Sequence, residues 1–519
     1  NDEYFLGPIV TFKNSDGKQE IIDGQQRLTT VMLLLRAFYS KFETAQDDEI
    51  VETRKLIARC IWKTDEVGRP VFDRLKIDSE VASDDDKDEF LTILETGKAD
   101  EKMRSRYADT FRFFSEKIID FIDKTPMWTY YFPLRILNNV IMLPIEAESQ
   151  DTALRIFSTL NDRGLPLSDA DIFKSQFYKF YSQRGEKDAF IARWKVLEEG
   201  ANATFHPMRG TPMDELFTRY MYYRRAKKGI KDTTTASLRD FFSADAYAIL
   251  KEEGTLADLE ALLAFWQAVD AQQGFSDRVL RRLFVLNYAP NGMWTYLVSV
   301  WFLANRDGDG RLDEGAFYDF LNLITGFIFA YAIERPGVNA LRAPVYPEMV
   351  SIVRREPVTF SNRHFGAREI AERFHAYEFT NGRPVTKSIL AWWAFNDPAQ
   401  PLMDIDTSIE IEHIYARKRA EVTPLRDRRN LESLGNKALL EKRVNIRAAD
   451  YKFTDKKKFY TGFTDGNGKE RTGTEIAELR RLAAEREDFT ESDIEVRTDE
   501  IIGAFVGFLG SCGLIAEEA

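Results

Sequence analysis

The stretch IIDGQQRLTT, residues 21–30, decides how the N-terminal part of the chain folds. Its apolar start ends a strand, polar residues follow, and a strongly apolar helix begins at once. Gly24 supplies the backbone freedom that so sharp a corner needs. We expect the first amides of the helix to point outwards, with the positive end of the helix dipole behind them. Arg27 and two glutamines add donors, so the corner is a candidate phosphate site; the alternative is that Asp23 caps the helix within a solvated loop.

The segment around this corner is predicted to be a mixed α/β domain. Residues 9–12 and 20–22 predict a hairpin, because an Asp-Gly pair between them strongly favours a turn. Residues 140–145 predict a strand that returns to the same sheet. Ser168 and Asp171 then form a capping box that opens the next helix.

Length and composition limit the class of protein. At 519 residues the chain is too long for one core, and about two to four domains are expected. No run approaches the roughly 18 uninterrupted apolar residues of a membrane span, and residues 320–333 predict a buried helix instead. Cys60 and Cys512 are too few for a disulfide framework or a cysteine zinc site, which fits a reducing cytoplasm. No secretory leader is recognisable.

Charge is distributed unevenly along the chain. The net charge of −12 argues against nucleic-acid binding by the whole surface. Residues 411–460, however, contain 14 Lys and Arg against 7 Asp and Glu. One basic block in an acidic chain indicates a polyanion bound at one place; a solvated helical surface is the alternative. The predicted DNA-binding residues are Arg417, Lys418, Arg419, Lys437, Lys457 and Lys458.

The same block contains a second polar constellation. Residues 409–414, IEIEHI, predict a short strand that ends near His413. Glu412 and His413 are adjacent and therefore point to opposite faces unless the strand ends there. The polar residues that follow in chain order are Asn436, Asn445 and Asp450. A histidine, an asparagine and a third polar ligand are the layout of an HNH, or ββα-metal, nuclease, in which a hairpin and a helix hold one divalent cation.

Each residue type suits phosphodiester hydrolysis. A water must be deprotonated near neutral pH, and His413 is the predicted base. A hard cation, Mg²⁺ or Mn²⁺, takes oxygen ligands, and we expect them from Glu412, Asn445 and Asp450. Asn436 is predicted to orient the imidazole through its amide. The alternative is a satisfied structural histidine.

Residues 173–355 are predicted to be almost entirely helical, with aromatic residues at the spacing of a core. The chain has no Walker A sequence, so nucleotide hydrolysis would proceed without a P-loop.

The DGQQR run resembles the signature of the GmrSD-type family of modification-dependent, type IV restriction enzymes. Residues 4–10 and 156–168 resemble two further conserved blocks, and the E-H-I and L-G-N runs resemble the family's C-terminal HNH domain. Departures are Tyr415-Ala416 in place of Pro-Gln, and Asp450 where Asn is common. The family usually has a Gln-Arg-containing segment further upstream, so part of the nucleotide site is expected to lie outside this sequence.

The resemblance implies a multidomain chain, mainly α with α+β ends. A ParB/sulfiredoxin-like nucleotide-binding and sensor domain is expected at 1–175, an α-helical domain at 176–360, and a ββα-metal nuclease domain with a C-terminal helix at 361–519. The residues expected to bind an NTP, either GTP or ATP, are Asp23, Gly24, Gln25, Gln26, Arg27, Asn161 and Arg163. For the last two, an ordinary polar turn is the alternative.

The function implied is NTP-regulated nicking or cleavage of modified double-stranded phage DNA in the bacterial cytoplasm, without a membrane partner. A homo-oligomer stays open, as do two alternatives: an NTP-binding sensor with a non-catalytic HNH domain, and an RNA-directed HNH nuclease.

Overall fold

The computed structural model describes residues 3–14, 17–77, 84–149, 152–153, 156 and 168–516. The chain divides into two compact units, Asn1–Leu167 and Ser168–Ala519. Most described residues are helical, which confirms a multidomain, mainly α protein. The boundaries predicted near residues 175 and 360 stay predictions.

The first unit combines a small sheet with a group of helices. Strands β1 and β2 are antiparallel, and β5 lies parallel to β1 on its other side, which confirms the predicted hairpin and the returning strand. A separate hairpin joins β3 and β4. The strands are β1 (Tyr4–Lys13), β2 (Gln19–Asp23), β3 (Trp62–Thr64), β4 (Pro70–Leu75) and β5 (Val140–Ala147). The helices are α1 (Gln25–Lys41), α2 (Asp48–Ile61), α3 (Asp84–Thr96), α4 (Arg106–Lys124) and α5 (Tyr131–Asn139).

Helix α1 is the centre of the first unit's helical core. Its apolar side contributes Leu33 and Phe38, which pack with Ile57 of α2 and Ile93 of α3. A smaller cluster around Val10 covers the sheet. The helix that begins at the DGQQR corner is therefore anchored by apolar burial, and its first turn is held at the edge of the sheet.

The second unit is built mainly from helices around one contiguous core that extends from residue 170 to residue 514. The predicted capping box is confirmed: Ser168 and Asp171 bond reciprocally at the start of the first helix. The helices are Asp169–Gln183, Lys187–Thr204, Pro212–Lys227, Leu238–Tyr247, Thr255–Asp270, Asp277–Leu286, Met293–Asn305, Glu314–Glu334, Arg342–Arg354, Ala367–Ala376, Pro384–Asn396, Arg417–Val422, Lys442–Ala448, Phe453–Thr461, Ala477–Glu485 and Glu491–Ser511.

One described helix, Glu314–Glu334, is long and apolar enough to span a membrane by length and composition. About two thirds of its apolar window, 67%, is buried inside the protein. This burial is expected of a core helix, as the sequence predicted for residues 320–333.

A short antiparallel strand pair positions the candidate active site. Strand β6 (Ile409–His413) pairs with β7 (Lys437–Glu441), and His413 lies opposite Lys437. The helix Arg417–Val422 lies between the two strands in the chain, and the helix Lys442–Ala448 follows β7 at once. A second small hairpin joins β8 (Phe463–Thr464) and β9 (Glu470–Arg471).

Candidate functional site

His413 lies at the end of β6 and is 8% exposed. Its Nε2 atom is 3.3 Å from Glu432 Oε1. Because a carboxylate accepts hydrogen bonds, we assign the ring proton to Nε2, which leaves Nδ1 as the acceptor. Burial lowers the pKa of His413 below its usual value, although the hydrogen bond with Glu432 opposes this shift. The ring is therefore neutral at pH 7 and able to accept a proton.

Glu432, which the sequence analysis missed, connects the charges around His413. It ends the 3₁₀ turn Arg428–Glu432. Its Oε1 atom also accepts from Arg417 Nη2 at 3.1 Å, and its Oε2 atom accepts from Lys437 Nζ at 2.6 Å. Burial alone would raise the pKa of Glu432, but the hydrogen bonds from His413 and Lys437 outweigh burial and lower this pKa to about 2. Glu432 is thus a carboxylate at any physiological pH.

Two of the predicted DNA-binding residues form ion pairs with carboxylates of the protein itself. The side chain of Lys437 is 0% exposed and also donates to Asn381 Oδ1 at 2.6 Å. Arg419 forms a bidentate pair with Asp488, at 2.7 and 2.6 Å, and lies over the Tyr415 ring. These contacts correct the prediction for both residues, because neither cation is available to a DNA backbone.

The other predicted cations are accessible. More than half of the Arg417 side chain and most of the Lys418 side chain are exposed. Lys457 is partly exposed and Lys458 is exposed. A basic surface therefore remains beside His413, at the start of the helix Arg417–Val422.

Asn436 has a different role from the one predicted. It is fully buried, and its Oδ1 atom accepts from the Tyr415 backbone N–H at 2.7 Å. Its Nδ2 group donates to the carbonyls of Leu431 and Tyr415, at 3.0 and 3.2 Å. The amide thus fixes the chain just after β6 instead of orienting the imidazole directly, because its donors and acceptor are already bonded to backbone groups.

The predicted metal ligand Glu412 is bonded to other protein groups. Alternation along β6 places Glu412 on the face opposite His413. Glu412 Oε1 accepts from Lys456 Nζ and from Tyr460 Oη, both at 2.6 Å. Burial raises the pKa of Glu412, and Lys456 opposes that shift. The charge that a metal ion would bring to Glu412 is already supplied by an ammonium group.

The remaining predicted ligands also have protein partners. Asn445 Nδ2 donates to Glu410 Oε2 at 2.7 Å, and Asp450 lies 3.7 Å from Lys418 Nζ. Within the described ranges, no group of three or more His, Cys, Asp or Glu residues could hold a metal ion. Glu412, Asn445 and Asp450 are therefore each in contact with protein groups in this structure, and their assignment as metal ligands stays a prediction.

The DGQQR corner is open at its helix start. Gly24 is the N-cap of α1 with φ +93°, and no side chain in the described chain caps the first amides. The alternative in which Asp23 caps the helix is wrong, since Asp23 Oδ2 instead accepts from Arg27 Nη2 at 2.7 Å. A side chain at position 24 would also meet Ile9 of β1 at 2.9 Å. Glycine is therefore required at this corner for its φ and for the close approach.

Several donors remain at this corner. Gln25 and Gln26 are exposed, and Gln25 Nε2 donates to the Ile21 carbonyl at 2.7 Å. The Arg27 Nε atom is buried and has no hydrogen-bond partner in the residues described. The predicted residues Asn161 and Arg163 lie outside the described residues.

Comparison with known families identifies the class of protein. Residues 1–178 match the family model "GmrSD restriction endonuclease, N-terminal domain", and residues 366–504 match "GmrSD restriction endonucleases, C-terminal domain". Both matches define a restriction nuclease, which is a hydrolase that acts on DNA. The chain belongs to the GmrSD restriction endonuclease family. No curated protein is a significant match to it.

Proposed function

We propose that this protein is an NTP-regulated, metal-dependent HNH endonuclease that nicks or cleaves modified foreign DNA, in defence of a bacterium against phage. The observation that carries the nuclease assignment is the neutral, buried imidazole of His413. It is held by Glu432 at the end of β6, in the segment that matches the C-terminal domain of the family. The exposed Arg417 and Lys418 provide the adjacent positive surface.

The residues present support a general-base role. Nδ1 of His413 would accept a proton from the attacking water, and the imidazolium would be stabilised by the ionised Glu432. Arg417 is bonded to the same carboxylate and is exposed, so its guanidinium lies close enough to attract a backbone phosphate to this site.

The expected Mg²⁺ or Mn²⁺ stays a prediction. When bound, such an ion would neutralise charge that develops on the scissile phosphate. For Glu412, Asn445 and Asp450 to hold it, the Glu412 carboxylate would have to exchange its contact with Lys456. Glu410 brings a further carboxylate next to Asn445.

Nucleotide regulation is proposed at the DGQQR corner. The uncapped amides at the start of α1 and the Arg27 guanidinium are suited to the phosphates of GTP or ATP. The pair formed by Asp23 and Arg27 would then be exchanged for a pair formed by Arg27 and phosphate.

A plasmid-nicking assay tests the proposal. Modified and unmodified supercoiled plasmids are incubated with the protein, with and without NTP, and with Mg²⁺, Mn²⁺ or chelator. His413→Ala should lower the cleavage rate by about 10²–10⁴. His375→Ala is the matched control, because this histidine is exposed and lies 3.7 Å from Asp499. Near wild-type nicking by a folded His413→Ala variant would refute the base, and full activity after chelation would refute the metal.

A second candidate is an NTP-binding sensor whose C-terminal domain binds DNA without cutting it. The pairing of Glu412 with Lys456 and of Asn445 with Glu410 favours this alternative, because neither predicted ligand is free. DNA binding without nicking under every metal and nucleotide condition would establish it.

A further inference from the structure

A cavity of about 300 Å³ lies in the second unit, away from His413. It is lined by residues of the helices Asp277–Leu286 and Glu314–Glu334 and by the end of the helix Pro384–Asn396. Its volume is at the lower end of the range for small-molecule sites. The lining residues that carry the argument are Asp277, Arg278, Arg281, Arg282, Tyr318 and Asp397.

Arg282 is the unusual residue of this cavity. It is 6% exposed, and it pairs with no carboxylate in the part of the chain that the structure describes. Its Nε atom is buried without a hydrogen-bond partner among those residues. The guanidinium lies over the Phe508 ring, 5.2 Å from its centroid. Buried charges are normally paired, but within the described residues Arg282 contacts the Tyr318 hydroxyl and no carboxylate, so its charge stays uncompensated unless an anion reaches it.

The carboxylates of the cavity do not supply that anion. Asp277 Oδ2 accepts from Arg281 Nε at 2.6 Å, and Asp397 Oδ2 accepts from Arg481 Nη1 at 2.6 Å. Arg278 is exposed and lies over the Tyr318 ring at 5.0 Å. Like Arg282, it has no carboxylate partner within the described ranges. The cavity therefore keeps an uncompensated positive charge from Arg278 and Arg282.

We propose that this cavity binds the phosphate group of a small phosphorylated molecule, with Arg282 beneath the phosphate and Arg278 at the opening. A phosphate monoester carries about −1.5 to −2 charge at pH 7, which matches two guanidinium groups. Arginine presents a planar array of donors that suits phosphate oxygens. Tyr318 and Phe395 contribute to the lining of the rest of the cavity. The inference does not depend on the proposed nuclease or on the DGQQR corner.

The test uses isothermal titration calorimetry on the full chain with inorganic phosphate, adenosine monophosphate and, as the phosphate-free control, adenosine. All proteins carry Arg27→Ala, so that the DGQQR corner does not contribute. Arg282→Met should weaken binding of both phosphate compounds at least tenfold. The matched control is Arg219→Met, because Arg219 is also a buried arginine but is paired with Glu215 at 2.9 Å.

A second readout separates ligand binding from a purely structural arginine. Phosphate should raise the melting temperature of the parent protein but not that of Arg282→Met, since a ligand stabilises only the protein that binds it. Arg278→Met keeps the buried residue intact and should still weaken phosphate binding severalfold.

The proposal is overturned if Arg278→Met binds phosphate as tightly as the Arg27→Ala parent protein. It is also overturned if Arg282→Met folds and binds phosphate as tightly as that parent. It is also overturned if adenosine binds as well as its monophosphate. Binding of a 5′-phosphorylated oligonucleotide at this cavity, without binding of the small phosphates, would assign the site to DNA and would equally refute it.

Discussion

Replacement of Glu432 by Gln probes two roles of one carboxylate, because Glu432 bonds both His413 and Lys437. Lys437 Nζ is wholly buried, 2.6 Å from Glu432 Oε2 and 2.6 Å from Asn381 Oδ1. Removal of one partner of a buried ion pair costs about 3–5 kcal/mol, since the other charge is left uncompensated. Gln can still accept a hydrogen bond from Lys437, so we expect Glu432→Gln to cost about 3 kcal/mol of unfolding free energy.

The double variant Glu432→Gln/Lys437→Met separates stability from catalysis. Replacement of a buried ion pair by less polar groups is often nearly neutral, so the double variant should regain most of the lost stability. Cleavage should stay low in both variants, because His413 has lost the carboxylate that stabilises its protonated form. That carboxylate also raises the pKa of His413. Without it, the acid limb of the cleavage profile should move to lower pH.

Urea unfolding, followed by tryptophan fluorescence, measures the unfolding free energy of each variant. Six of the eight tryptophans lie in residues 168–519, so the signal reports mainly on the second unit. Glu372→Gln is the control, because its pair with Arg368 is exposed and should contribute little to stability. Unfolding of Glu432→Gln within about 1 kcal/mol of wild type would refute the burial argument. Recovery of cleavage in the double variant would show that Glu432 only balances Lys437.

Two further predictions concern acid and nucleotide. The pKa of Glu432 is lowered to about 2 in the folded protein. The contribution of Glu432 to stability is therefore fully present above the pKa of a glutamate in the unfolded chain, and it is lost as the pH falls towards 2. Over this range, the urea midpoint should decline less in Glu432→Gln than in wild type. Asp23→Ala and Arg27→Ala should remove NTP hydrolysis, and Arg27→Ala should also remove the coupling between nucleotide and modified DNA, which acts equally on both affinities. Nucleotide affinities that are the same with and without modified DNA, in wild type and in Arg27→Ala, would contradict regulation at this corner.

The parts of the fold that follow from local sequence were predictable. The β1–β2 hairpin, the corner at Gly24 and the Ser168 capping box each depend on residues within a few positions of one another. The alternation of β6 likewise predicts that Glu412 and His413 face opposite ways. Such local signals determine the direction of the backbone, and they do not depend on which residues pack against the element from elsewhere in the chain.

The contacts of the site were less predictable, because they depend on what packs on each strand. Every residue of β7 is buried, so Lys437 has no exposed face and no polar pattern marks its environment. Glu432 lies in a 3₁₀ turn without periodicity, and its contact with His413 arises only when the two strands pair. The same holds for Arg282. In the sequence it is one charge on an amphipathic helix, and only the three-dimensional structure shows that no carboxylate lies beside it among the described residues.

The end of β6 is the point at which the two proposed functions differ. Asn436 holds the chain there through its Oδ1 and its carbonyl, which accept from the N–H groups of Tyr415 and Ile414 at 2.7 and 2.9 Å. These bonds fix the strand's exit, where His413 contacts Glu432 and Glu412 contacts Lys456. A nuclease in which Glu412 binds a metal ion must exchange the contact between Glu412 and Lys456, whereas a sensor need not. Asn436 is therefore a structural residue, because the oxygen and the nitrogen of its side-chain amide are both bonded to backbone groups.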